Sequence, residues 1–240
     1  MEKLSMYFIL FLIYSFIGWS IEVCNSFIVE KKFVNRGFML GPYCPIYGYS
    51  AIIMVLYLDQ YRDNILTVFL LAVVVCSVME YIVSYVMEKL FNARWWDYSD
   101  RKFNINGRVC LTNAFLFGIL GVLLVYFINP LLSGLLSKVN NTVLNIIAIV
   151  WLVIFIGDFI TSMGVTYKLK NSMKKLKKDN TEEISTKVRD VIESKFLNRR
   201  IFKAFPSFKV NLIGIKEIRE KLEEKLDDLE DKFEDRKNKK

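Results

Sequence analysis

Histidine is missing from this chain altogether. That removes the usual zinc and haem ligands and the commonest general base. Cysteine is sparse: Cys24, Cys44, Cys76 and Cys110 form no CxxC pair. Without a histidine to activate it, Cys44 reads as structural rather than nucleophilic. Neither GxxxxGK[ST] nor GxGxxG occurs, so the chain is not itself a P-loop ATPase. No metal, cofactor or catalytic residue is therefore assigned. The N-terminal apolar run does not read as a signal peptide, because it is long, has no small-residue cleavage site and ends in Glu22.

What the chain has is apolar residues, 53% of the total. That is too many for a soluble domain carrying a charged 74-residue tail. Residues 1–166 hold 11 Lys/Arg against 10 Asp/Glu, while residues 167–240 hold 22 against 15. The net charge of +8 thus comes almost wholly from the tail, and the chain divides there into a transmembrane helical domain, 1–166, and a basic cytoplasmic helical tail, 167–240. Directly after a membrane helix, a basic tail is expected to meet anionic lipid rather than nucleic acid.

Five apolar runs approach the roughly 20 residues needed to cross a bilayer: 4–28, 44–58, 65–87, 109–128 and 143–165. The second is short and begins near Pro45, so it reads as a tilted span or a re-entrant hairpin. Lys and Arg number one at the N-terminus, then three, one, five and one in successive connections, then 22 in the tail. The alternation favours five full spans, with the N-terminus outside and the C-terminus in the cytoplasm. The expected fold is all-α, five transmembrane helices followed by a cytoplasmic helical, coiled-coil tail. Both unusual loops, 29–44 and 88–108, then face the cytoplasm, and Cys44 and Cys110 should be reduced.

Three acids fall inside the spans: Glu22, Glu80 and Asp158. In this topology all three sit in the cytoplasmic half of the membrane. An acid at helix centre costs about 2.5–3.5 kcal/mol on insertion scales and usually faces the bundle interior or a wet cavity. Ser15, Gly18, Glu22 and Asn25 form one polar stripe; Ser77, Glu80, Ser84 and Glu88 form another. The acids either line a cavity or pair with Arg36, Arg94 or Arg108 to hold the bundle together.

The first loop, NRGFMLGPYCPIYG at 35–48, mixes helix breakers with aromatic residues. Gly37, Gly41, Pro42, Pro45 and Gly48 are expected to shape it, and Asn35, Arg36 and Tyr47 are candidates to face the cavity. In the second loop, Trp95 and Trp96 suit the headgroup level. Asp97, Asn104, Asn106 and Arg108 are further candidates, and Asn106-Gly107 signals a tight turn that aims Arg108 at the next helix. Gly37 precedes Gly48 by 11 residues, as Gly107 precedes Gly118. That repeat is compatible with a duplicated helix hairpin.

The tail opens with Lys168, Lys170, Lys174, Lys175, Lys177 and Lys178, each worth roughly 1 kcal/mol against anionic lipid, or simply marking the last span as inward. Asn180 and Glu183 resemble a capping pair. Ile184, Val188, Ile192 and Phe196 mark one helical face, and Pro206 ends it. Ile215, Ile218, Leu222, Leu226, Leu229 and Phe233 form a short seam for self-association or a partner helix.

The first loop, with GWSIEV at 18–23 before it and MEKLFNARWWDYSDRKFNINGRVCL at 87–111 after it, resembles the membrane family called ABC-transporter type IV, or ABC transporter permease, of Clostridia and related Firmicutes. The resemblance covers about residues 5–165 and leaves out the tail. It implies a permease of the cell membrane and a possible ATP-binding subunit. From the residues themselves three functions stand: a transport-associated component with a cytoplasm-facing polar cavity, a membrane enzyme acting on a lipid or polyprenyl substrate, and a scaffold or sensor without chemistry.

Overall fold

The long apolar runs wind into helices, and the stretches dense in Gly, Pro and Asn do not. The computed structural model describes residues 2–31, 33–91, 93–176 and 209–210. Helix α1 covers Glu2–Glu30, α2 Pro45–Leu58, α3 Ile65–Phe91, α4 Leu111–Leu123, α5 Asn129–Leu136 and α6 Asn141–Leu176. A π-helical turn, Leu124–Ile128, joins α4 to α5. The expected helical face, breaker and seam at 180–206 and 215–233 lie outside the described residues.

Four helical segments are long and apolar enough to cross a membrane: Lys3–Ile28, Ile65–Phe91, Leu111–Leu136 and Asn141–Lys168. The second apolar run gives a helix of only 14 residues. At 1.5 Å per residue that is about 21 Å, against a hydrocarbon core of about 30 Å. Pro45 stands in its first turn, where a missing N–H costs nothing, and the chain before it is irregular.

Helices α1 and α2 pack as one hairpin and α3 and α4 as another, with α2 also against α3 and α6 against α1. The main core joins Leu10 and Tyr14 of α1, Ala51, Met54 and Leu58 of α2, Val68, Ala72 and Cys76 of α3, and Leu124 and Val125 of the π turn. Outward faces stay apolar: Leu66, Leu70, Val74, Val78 and Ile82 are exposed along α3, as are Ile149, Val153 and Ile160 along α6. Such faces suit lipid, which is as apolar as the side chains.

Two short β pairings shape the second loop. β2 (Asn104–Ile105) pairs antiparallel with β3 (Val109–Cys110). Asn106 and Gly107 both take positive φ, 53° and 66°, as a primed hairpin turn requires. β1 (Ala93–Arg94) pairs antiparallel with β4 (Lys209–Val210), so a segment of the tail returns to this loop.

Candidate functional site

Each hairpin carries its acid on the first helix and reaches it from the second. The Cys44 N–H donates to the Ser15 carbonyl at 2.9 Å, which fixes the start of α2 beside the middle of α1. Gly48 lies so close to Ser15 and Phe11 that a β-carbon there would overlap both. The Tyr47 ring rests on Gly18, and its hydroxyl donates to Glu22 Oε1 at 2.6 Å.

Glu80 is the most enclosed of the three acids, 5% exposed. The Tyr98 hydroxyl, from the second loop, donates to its Oε1 at 3.0 Å, and Asn113, in the first turn of α4, adjoins the same carboxyl. Oε2 has no hydrogen-bond partner among the described residues. Burial pushes the Tyr98 phenol well above its ordinary pKa, and the charges of Glu80 and then Glu22 add to the shift. Both carboxyls therefore act on one phenol.

The two arrangements share a grammar. Cys44 and Cys110 each stand, in extended conformation, at the N-cap of the second helix. Three residues on, Tyr47 meets Glu22 and Asn113 meets Glu80. The glycines repeat at a spacing of 70 residues (Gly48 and Gly118) and the caps at 66, a discrepancy of about one helical turn. Gly118 approaches Phe69 of α3 much as Gly48 approaches α1.

Asp158 lies elsewhere. Its carboxylate accepts the N–H groups of Leu40 and Gly41 at 2.9 and 2.7 Å, the Tyr43 hydroxyl at 2.5 Å and the Ser162 hydroxyl at 2.9 Å. It binds the first loop to α6 and leaves the other two acids as the pair. Asn35 is also engaged in the loop: its Oδ1 accepts Trp19 Nε1 at 2.6 Å and its Nδ2 donates to the Leu40 carbonyl at 3.1 Å. The Arg36 carbonyl accepts the Cys44 thiol at 3.1 Å.

The second loop is tied to its own helix. Arg108 meets Glu88 at 2.7 Å and Ser84 at 3.1 Å, with its guanidinium 5.6 and 5.5 Å from the Tyr81 and Tyr85 rings. Asn106 donates to the Tyr81 hydroxyl. Asn104 donates to the Ser99 and Arg101 carbonyls and accepts Gly107 N–H. Asp97 accepts Ser99 and Arg94.

The headgroup level is expected of at least one of Trp95 and Trp96, and the two differ in burial. Trp95 is 2% exposed and packs on Phe91 and on Phe38 of the first loop, at 5.9 and 5.5 Å between ring centroids. The two loops touch here. Trp96 donates to the Arg108 carbonyl at 3.0 Å.

Of the sequence candidates, then, the structure brings together Glu22, Tyr47 and Glu80. It adds Tyr98 and Asn113, which sequence reasoning missed. One signal for Asn113 was present: a hydrogen-bonding residue follows both Cys44 and Cys110 at the third position. Among the described residues no cluster of three or more potential metal ligands occurs. A separate apolar groove of about 330 Å³, lined by Ile65, Leu66, Phe69, Ile119, Val122 and Leu123, lies at the opposite end of the α3–α4 hairpin.

These features define a multi-pass helical membrane protein with irregular loops folded back along acid-bearing helices. The chain belongs to the family described as "Putative ABC-transporter type IV", which matches residues 9–163. No curated protein and no solved structure matches it.

Proposed function

We propose that this protein is a transport-associated component of the bacterial cell membrane, with an acidic site inside the α1–α4 bundle. The observation that carries this reading is the irregular backbone before α2. Cys44 is bonded to Ser15, which lies midway along the apolar span Lys3–Ile28. Non-helical backbone at such depth is tolerated where protein buries it or where it lines a polar cavity, and broken helices of this kind form binding sites in transporters.

The chain then crosses five times, the second crossing being residues 31–44 together with the half-length α2. The N-terminus is outside and the basic tail is in the cytoplasm, against anionic lipid and a partner. Glu22 and Glu80 line the site with Tyr47 and Tyr98. Because Arg108 is engaged by Glu88, the site is acidic and suits a cationic occupant. The family name supports an ATP-binding partner.

Native mass spectrometry of the tagged protein, purified gently from its own membranes, tests this. Co-purification of an ATP-binding subunit, lost when residues 167–240 are deleted, is the expected result. A lone chain with a tightly held lipid would reject the permease assignment in favour of an enzyme acting on lipid.

A further inference from the structure

We propose that Glu80 is a proton-binding site, its Oε2 carrying the proton while its Oε1 accepts the Tyr98 hydroxyl. The proposal deepens the acidic site above and rests on the same residues, but it can stand or fall separately from transport.

The geometry points there in three ways. First, Glu80 is 5% exposed, and its Oε2 is fully enclosed with no hydrogen-bond partner among the described residues. A buried carboxylate lacking a partner is costly, and such groups neutralise instead. Second, the groups acting on it from each neighbouring element supply no positive charge. They are Glu22 of α1, Tyr98 of the second loop and Asn113 of α4, with Cys76 one turn earlier on α3. Tyr47 of α2 is bonded to Glu22. Arg108 of this loop is held by Glu88 and Ser84 further along α3. Third, Asp158 provides an internal contrast. It receives four hydrogen bonds, two of them from backbone N–H groups, as an ionised carboxylate does. Glu80 meets only neutral side chains, the Tyr98 hydroxyl at 3.0 Å and the Asn113 amide, and no backbone N–H among the described residues.

Release is a simple ionisation: the O–H bond at Oε2 breaks, the electron pair stays on the carboxylate, and the proton leaves for water. Glu22, only partly buried, stands on the way out.

Infrared spectroscopy of the full-length chain in lipid vesicles tests this through the carboxylic C=O stretch. At neutral pH a protonated carboxyl band is expected, and it should disappear in Glu80→Gln. Should that variant fail to fold, Tyr98→Phe serves in its place. Tyr98→Phe removes the hydrogen bond to Oε1 and should shift the same band to higher frequency without abolishing it. A wild-type spectrum without the band at neutral pH overturns the proposal. So does a band that ignores Tyr98→Phe, or one discharged by sodium at constant pH, which would make the site a metal-cation site. Loss of the ATP-binding partner would defeat the permease reading and leave the band unaffected.

Discussion

The two hairpins differ in what holds their loops. The first loop is pinned from outside: its backbone amides at Leu40 and Gly41 reach Asp158 on α6. The second is pinned by its own hairpin, through Arg108 to Glu88 and Asn106 to Tyr81 on α3. The first loop is therefore bonded directly to α6, while the Asn104–Cys110 hairpin of the second is bonded to α3 and meets α6 only through its neighbours. Two loops of similar build are thus anchored to different helices.

The sharpest way to break the contrast is Asp158→Ala. Hydrogen bonds to a charged group are worth about 1.5–3 kcal/mol each, and the orphaned amides add to the loss. We expect about 3 kcal/mol or more of destabilisation, read as a lower Tm in detergent. The buried Cys44 thiol should become reactive to a maleimide, while Cys110 stays protected. Equal exposure of both thiols would show that the loops are not independently held.

Arg108→Ala should come next, at about 2 kcal/mol, because it removes the shorter of the two arginine contacts to Glu88 and leaves that carboxylate with Arg94 alone. Here Cys110 should gain reactivity and Cys44 should not. Arg108→Lys should restore only part of the stability, since a lysine cannot bridge Ser84 and Glu88 while covering two rings.

A smaller difference separates the paired glycines. In Gly48→Ala the new methyl meets the Phe11 backbone carbonyl as well as Ser15 Oγ; in Gly118→Ala it meets only the Phe69 side chain. Overpacking costs about 1–3 kcal/mol, and the first substitution should lie at the upper end because backbone cannot rotate away. Equal Tm shifts would show that α1 yields as easily as a phenyl ring.

The smallest effect is in alkali. The Tyr98 phenol is raised above its ordinary pKa, so below about pH 10 both folded and unfolded chains keep its proton. Above that the unfolded chain releases it first, and stability falls with rising pH until the folded phenol also ionises. Tyr98→Phe should flatten that fall, measured by Tm against pH.

Much of this architecture was legible in the residues. The long apolar runs gave the helices, and the Asn106-Gly107 pair gave the turn that forms there. The acids at Glu22 and Glu80 stood out because charge is rare within such runs. What could not be read was long-range pairing. Nothing local to Asp158 says that it meets the amides of residues 40 and 41, 118 and 117 positions away. Nothing in the residues around Tyr98 says that its hydroxyl reaches Glu80, 18 positions away. Trp95 followed the usual pattern of a headgroup anchor until Phe38, from the other loop, covered it. The short α2 was legible in length but not in depth, which is set by the bond from Cys44 to Ser15.

The π turn at Leu124–Ile128 has a consequence for how the hairpins are coupled. It is one residue wider than an α-turn, and its loosened ladder is braced by Arg62, whose guanidinium donates to the Val125 carbonyl at 3.0 Å. One additional residue rotates everything beyond it by about 100°. Before the turn the helix faces α3; after it, Asn129 receives the Tyr14 hydroxyl of α1 at 2.9 Å. A single inserted residue thus works as a phase shift, handing one continuous rod from the second hairpin to the first. A deletion of one residue there would keep the helix intact and uncouple the hairpins it links.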